Sequence, residues 1–439
     1  MRAERTVLST QVRDYETLLN EKFPAYADAV SQNPETVAKL QKLIRPDEAM
    51  VSYLVAPSAA YAWVLTANSA QMVKLDIGWA QIDQVVHILR RGLDPTQMTP
   101  EARQAGRLPV YDAKLAFEFQ KKIFAPLVPS LHGSKHVMIV VDGPLQSLPP
   151  SVMVASEPPT TLNEPVDYRQ VDWMARHYSF ATLPSVNSLR ALRTFAKPTS
   201  AKEPFLGFGA PKLGGPRLRN RNAAVMKGDA IDVNLVNQLN PLPETGDELH
   251  AIADTLKAPS DDVILADEAT RPHLRSMTLA DYRVVAFATH GLMAGELKGL
   301  SEPALVLTPN QTGDNPDDGL LRASEIAQLH FDADWVVLSA CNTAAPEGGS
   351  TTESLSGLAR AFFYAGSRSI LVSHWPVNSG ASVKLTTTAV QAVVDDPKLG
   401  KAEALERSML KLMDSTLPLY AHPMMWAPFV IVGEGDFNG

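Results

Sequence analysis

Asp281 to Asn342 is the stretch that decides the fold. It opens with Tyr282-Arg283-Val284-Val285-Ala286-Phe287-Ala288-Thr289, which stops at His290-Gly291, and closes with Asp334-Trp335-Val336-Val337-Leu338-Ser339-Ala340, which stops at Cys341. Both runs are rich in β-branched and aromatic residues and apolar on both faces, the pattern of strands buried between helical layers. About fifty residues separate His290 from Cys341, and Leu300 to His330 among them is long enough for a crossover carrying at least one helix. Neighbouring parallel strands would therefore bring His290 and Cys341 to one sheet edge, where open α/β sheets gather their chemistry. A thiol is a weak nucleophile until it ionises, and an adjacent imidazole can take its proton. Cys341 is the only cysteine in the 439 residues.

Working outward, the length predicts two or three units rather than one core. A hydrophobic fraction of 45% with 20% charged residues is that of a globular chain. The net charge of −8 argues against nucleic acid or an anionic membrane as partner. A single cysteine allows no internal disulfide, which fits a reducing, cytoplasmic setting. Apolar runs such as Val137 to Val141 are far too short to cross a bilayer, and the first residues, Met1-Arg2-Ala3-Glu4-Arg5-Thr6, read as if cut from a longer chain. No Cys pair or spaced His cluster is present, so neither a metal nor a cofactor is expected.

Residues 1–45 read as a helical arm, with Val7, Val12, Tyr15, Leu18 and Leu19, then Val37, Leu40 and Ile44, at helical spacing. From Met50 the period shortens. Val51–Val55, Tyr61–Leu65 and Gln71–Leu75 form a meander, Gly78–Arg91 and Tyr111–Leu127 are helices, and His136–Val141 is a buried strand that stops at the turn Asp142-Gly143-Pro144. Turn chemistry accounts for Asp142 without a catalytic role. Phe205-Leu206-Gly207-Phe208-Gly209 begins as a strand and dissolves into glycines, and the following Lys212-Leu213-Gly214-Gly215 lacks the Lys-Ser/Thr of a phosphate loop. Leu242-Pro243-Glu244-Thr245-Gly246 copies a sortase anchoring signal with no apolar tail after it. Thr245 and Glu248 have the spacing of a capping box, which makes the better reading a helix start. Val263–Leu265 is a short strand before a helix around His273 to Met277. A second capping box, Ser350 to Glu353, opens a helix with Leu355, Leu358, Phe362 and Ala365 on one stripe and Gly366 as its stop. Ser369–Trp375 is the next strand, Ala381–Val394 and Ala402–Leu412 are helices, and Phe429–Val432 is the last strand.

Together Ala288-Thr289-His290-Gly291, Leu338-Ser339-Ala340-Cys341-Asn342-Thr343, His374-Trp375-Pro376-Val377 and His422-Pro423 with Trp426-Ala427-Pro428-Phe429-Val430 resemble the CHAT domain of caspase-like, separase-related cysteine peptidases. Asp142-Gly143-Pro144-Leu145 and Leu183-Pro184-Ser185 resemble that family's first half, so the likeness runs from about residue 46 to the end. The His-to-Cys spacing is also that of caspases. The resemblance implies an α/β caspase-like fold, with a mostly parallel central sheet flanked by helices. It divides the chain into an arm over 1–45, the possible end of a bacterial TPR region, a non-catalytic half over 46–200 and a catalytic half over 201–439.

By the same resemblance His290 is the general base and Cys341 the nucleophile, and the backbone N–H groups of Gly291 and Cys341 form an oxyanion hole. The strand to Trp375 and the polar loop Thr343 to Gly349 line the substrate pocket, with Ser373, His374, Trp375, Asn378 and Glu347 as binding residues. On the blander reading His374 and His422 are structural, with Trp375 packed against the floor of the site. The chain departs from its relatives at Asn378-Ser379-Gly380-Ala381, where family members carry acids. The expectation is that it does not demand Arg or Lys before the cut. The function so implied is a cysteine endopeptidase acting on a protein or peptide, restrained by a regulatory partner through the helical arm, with no nucleic acid and no membrane. The alternative is a silent scaffold that keeps the fold as a protein-binding module. A lone strand-end cysteine is ordinarily a small core residue. The His-Gly partner and the ordered motifs favour the enzyme.

Overall fold

The computed structural model describes residues 35–95, 98–99, 101, 108–160, 162, 164–195, 199–214, 233–297, 299–310, 317–339 and 357–435. Cys341, the loop Thr343 to Gly349 with Glu347, the capping box Ser350 to Glu353 and the arm up to residue 34 lie outside them.

An eleven-stranded sheet runs through the molecule. Its first strands are β1 (Glu48–Val55), β2 (Ala60–Leu65), β3 (Ala70–Leu75), β4 (His136–Val140) and β5 (Ser179–Thr182). The remainder are β6 (Glu203–Pro211), β7 (Val263–Ala266), β8 (Tyr282–Ala288), β12 (Trp335–Ser339), β13 (Ser369–Ser373) and β14 (Phe429–Gly433). A separate three-stranded sheet comprises β9 (Gly291–Leu292), β10 (Ala304–Val306) and β11 (Leu320–Arg322). In space the large sheet is ordered β3-β2-β1-β4-β5-β14-β13-β12-β8-β6-β7. Pairing is parallel except at β3/β2, β2/β1 and β13/β14. Because β14 runs parallel to β5 and antiparallel to β13, the parallel strands of the first half, β1, β4 and β5, point opposite to β8, β12 and β13.

Helices cover both faces. Among the described residues of the arm lies a short helix, α1 (Val37–Gln41), with Leu40 and Ile44 buried against Met50, Met138 and Leu183. On the sheet's larger core lie α2 (Trp79–Arg91), α3 (Ala113–Ile123), α4 (Glu244–Leu256), α7 (Ser379–Asp395) and α8 (Lys401–Met413). The opposite face carries α5 (Arg271–Ser276) and α6 (Gly357–Tyr364), whose Leu274, Leu358 and Phe362 pack on Phe208, Val285, Phe287, Val336 and Leu338. In β8, β12 and β13 alternate residues enter the two cores, so both faces had to be apolar.

Two expectations change on inspection and a third is extended. Phe205 onward does not dissolve: β6 is a nine-residue strand between β8 and β7. Its glycines are required by close packing, since a Cβ on Gly209 would lie 2.6 Å from Leu249 Cδ1 and 2.8 Å from the Ala288 carbonyl oxygen. Among the described residues the β8-to-β12 connection carries the expected helix as a single turn, Ala323–Ile326, and adds to it the small antiparallel sheet. Thr245 and Glu248 do not form a capping box. Pro243 is the N-cap of α4, the Thr245 hydroxyl donates to the Leu242 carbonyl (2.7 Å) and accepts from Ala210 N–H (2.8 Å), and Glu248 turns into the core.

Candidate active site

β8 and β12 are hydrogen-bonded neighbours, parallel, with Leu338 opposite Phe287 and Ser339 opposite Ala288. His290 follows β8 by two residues and is held firmly. Thr289 donates its hydroxyl to the Val306 carbonyl, and Val306 N–H donates to the His290 carbonyl at 2.9 Å. On the ring, Nε2 stands 2.7 Å from the carbonyl oxygen of Asn240. A carbonyl only accepts, so Nε2 donates this bond, and whenever the ring carries a single proton Nδ1 is its basic nitrogen. The ring is 4% exposed, so its tautomer and orientation are fixed by the protein rather than by water. Asn240 was not legible as a site residue, because a backbone carbonyl leaves no mark on the residue type.

Gly291 sits opposite Leu305 in the β9/β10 pair. Hydrogen-bonded and non-bonded pairs alternate in an antiparallel ladder. With Val306 bonded to His290, Gly291 falls in a non-bonded pair and its N–H points away from β10. Such an amide is suited to receive an oxyanion.

Beneath the end of β12 lies a buried acid. Glu248, on α4, is 2% exposed. The Ser339 hydroxyl of β12 and the Thr386 hydroxyl of α7 each reach its carboxyl at 2.9 Å, and Ser382 of α7 lies 3.3 Å from it and 2.8 Å from Ser339. Burial pushes this carboxyl up to about 7, against the opposing pull of the three hydroxyls. No cation among the described residues faces it. A shift of that size corresponds to a penalty of roughly 3 kcal/mol once the group is forced to ionise above pH 7.

Ser373, His374 and Trp375 are all buried. The Trp375 indole N–H donates to the Met424 carbonyl at 3.0 Å. Arg90, at the end of α2, donates to the His374 carbonyl at 3.0 Å and stands 5.2 Å above the Trp375 ring. Burial, reinforced by the Arg90 charge, drives His374 down to about 3 and keeps it neutral. His422 is tied to the Pro109 carbonyl (2.8 Å) and to Met424 N–H (3.1 Å), and burial lowers it to about 4. Asn378 caps α7 by accepting from Ala381 N–H at 3.1 Å. The Ser379 hydroxyl donates to Glu244 of α4 at 2.8 Å. A carboxylate therefore does stand at the Asn378–Ala381 segment, supplied from another helix, where the sequence of that segment offers none. Asp142 is remote from all of this: it follows β4 at the opposite sheet edge and accepts from Val55 N–H at 2.7 Å. Among the described residues no His, Cys, Asp or Glu cluster could hold a metal, and no helix is long and apolar enough to cross a membrane.

The strand order, the paired ends of β8 and β12 and the His-Gly turn describe a caspase-like α/β architecture. The CHAT domain family model matches residues 114–434, and the chain belongs to that family. Tetratricopeptide repeat protein 28 of Mus musculus is 27% identical over 229 residues, which are 44% of this chain and 9% of that protein. The Homo sapiens protein of that name is 25% identical over 228 residues, 44% of this chain and 8% of its own length. Among solved structures, the Saccharomyces cerevisiae separase–securin complex contains a chain that matches with a TM-score of 0.50 at 10% identity, covering 95% of this chain and 33% of that one. That likeness is one of fold. The chain spans under a tenth of these curated relatives and a third of the matched separase-complex chain.

Proposed function

We propose that the protein is a cysteine endopeptidase in which His290 and Cys341 form the catalytic dyad. The observation that carries the reading is a shared offset: Ala288 and Ser339 pair across β8 and β12, and His290 and Cys341 each follow their strand's paired residue by two positions. Support also comes from the tautomer of His290, whose Nδ1 is left as the base by the Asn240 bond. In this reaction the Cys341 thiol gives its proton to His290 and attacks the scissile carbonyl. The oxyanion is received by the N–H groups of Gly291 and Cys341. His290 then protonates the departing amine, and water cleaves the thioester. The substrate is a protein or peptide, bound along Ser373–Trp375, Asn378 and Glu347, with residues 46–200 as the non-catalytic half and the arm as a regulatory contact. The test is iodoacetamide labelling, together with mass spectrometry of a co-purified partner's cut site, for wild type and Cys341→Ala. Loss of both in the variant is expected. Cleavage retained by Cys341→Ala would remove the enzyme reading, and partner binding with an unreactive wild-type thiol would leave the scaffold.

A further inference from the structure

We infer that Glu248 is a positioning residue of this site, one that fixes the carboxyl end of β12 against α7 through the hydroxyls of Ser339, Ser382 and Thr386. The inference rests on the proposed function, because what it positions is the chain segment leading into Cys341.

The geometry is specific. Ser339 is the last residue of β12, and its hydroxyl reaches both Glu248 (2.9 Å) and Ser382 (2.8 Å). Thr386 meets the other carboxyl oxygen at 2.9 Å. Glu248 thus joins three elements at one point: its own helix α4, the strand from which the nucleophile emerges, and α7, which begins just after the His374–Asn378 wall. Apolar packing alone would hold these elements together but would set no direction for the Ser339 side chain. Hydrogen bonds do, and inside a low-dielectric core they tolerate little misalignment. Other charges do not explain the acid. β12 has no ionisable side chain, and those of α7, Lys384 and Asp395, lie at exposed positions. Of the strands packed on α4, β6 offers only Glu203, exposed, and β8 offers Arg283, exposed, and Tyr282 at its far end, whose hydroxyl is engaged with Asp262. On α4 itself, Glu244 is engaged with Ser379, and Asp247, His250 and Asp254 are exposed. The carboxyl is buried by its hydroxyl partners, not by a counter-ion, so its proton is the one variable in the cage. When Glu248 ionises, an uncompensated negative charge arises at Ser339, two residues before Cys341 in the chain, and a negative charge close to a thiol opposes its ionisation.

Three variants test this. Glu248→Leu keeps the volume and removes the bonds, Glu248→Gln keeps bonding groups and removes the titration, and Thr386→Val breaks one bond while sparing the acid. The readouts are the pH dependence of Cys341 alkylation by iodoacetamide and, separately, kcat and KM for cleavage of the partner. Glu248→Leu is expected to slow alkylation about tenfold at constant melting temperature or above, and to lower kcat with little change in KM. Glu248→Gln is expected to remove an inflection near neutral pH that wild type and Thr386→Val retain. Should Glu248→Leu not fold, the Glu248→Gln profile decides. Wild-type alkylation rates and pH profiles in folded Glu248→Leu and Glu248→Gln would overturn the inference. The two readings fail differently: altered alkylation with no cleavage by wild type retires the peptidase and keeps the positioning role, whereas wild-type cleavage with unaltered variants retires the role alone.

Discussion

Both halves of the sheet contain parallel strands, β1, β4 and β5 in the first and β7, β6, β8, β12 and β13 in the second, and they finish those strands in different ways. β4 ends in Asp142-Gly143-Pro144, where the Asp142 carboxylate is consumed by Val55 N–H and a Cβ on Gly143 would lie 2.4 Å from the Trp79 ring. That end is sealed by its own side chains. β8 and β12 end instead on a buried, tautomerically fixed imidazole and on a serine over an uncompensated acid. The fold supplies strand ends in both halves, and only one set is furnished with groups that could move a proton. The antiparallel step at β13/β14 keeps the two sets at opposite edges, so the sealed end can stabilise without obstructing the other.

The contrast is most easily broken at the dyad. Cys341→Ala should lower cleavage roughly a thousandfold or more and His290→Ala by about 10²–10³, read as kcat/KM on one substrate. A His290→Ala protein as active as wild type would make the two edges equivalent and end the comparison. Next in size is Gly209→Val. The added Cβ meets both Leu249 and the Ala288 carbonyl, so α4 must lift from β6 next to the strand that presents His290. A stability loss of about 3 kcal/mol in urea melts is expected, together with reduced activity; an unchanged midpoint would mean that α4 is not seated as described.

The acid gives a pH signature that the sealed half lacks. Unfolded, Glu248 ionises near 4.5, and folded, near 7. The neutral form's advantage is therefore full below pH 4.5 and is lost as pH rises to about 7. Glu248→Gln should stabilise the protein relative to wild type by up to about 3 kcal/mol at pH 8, with the difference vanishing toward pH 4.5. Chemical denaturation across that range checks it. A difference independent of pH would show that the carboxyl does not titrate in this interval.

What the sequence made legible follows from what leaves a mark on residue type. Apolar runs such as Val284–Ala288 and Trp335–Leu338 mark buried strands by themselves, and the His-Gly turn at 290 marks a strand end with chemistry. Backbone partners leave no such mark, which is why Asn240 was invisible. Glu248 was visible but misassigned, because a Glu three residues after a Thr satisfies a local rule while its real partners, Ser339 and Thr386, come from distant elements. Glu244 was lost in the same way, since an acid expected beside Asn378 can be delivered by another helix. The glycines of β6 read as breakers because only tertiary packing shows how near Leu249 comes.

The smallest expected effect tests the sealed half alone. Asp142→Ala removes the acceptor of Val55 N–H and leaves a donor at the carboxyl end of β1 without its bond, which should cost about 1–2 kcal/mol of stability. Because Asp142 lies at the edge opposite His290, alkylation of Cys341 and kcat/KM for cleavage should stay within twofold of wild type under conditions where both proteins are folded. Asp142→Asn keeps an acceptor oxygen and should recover most of the loss. Full recovery of stability together with a large activity defect in Asp142→Asn would mean that the charge itself acts at a distance on the other edge. The division between a sealed and a furnished set of strand ends would then be wrong, because the halves would be electrostatically one site.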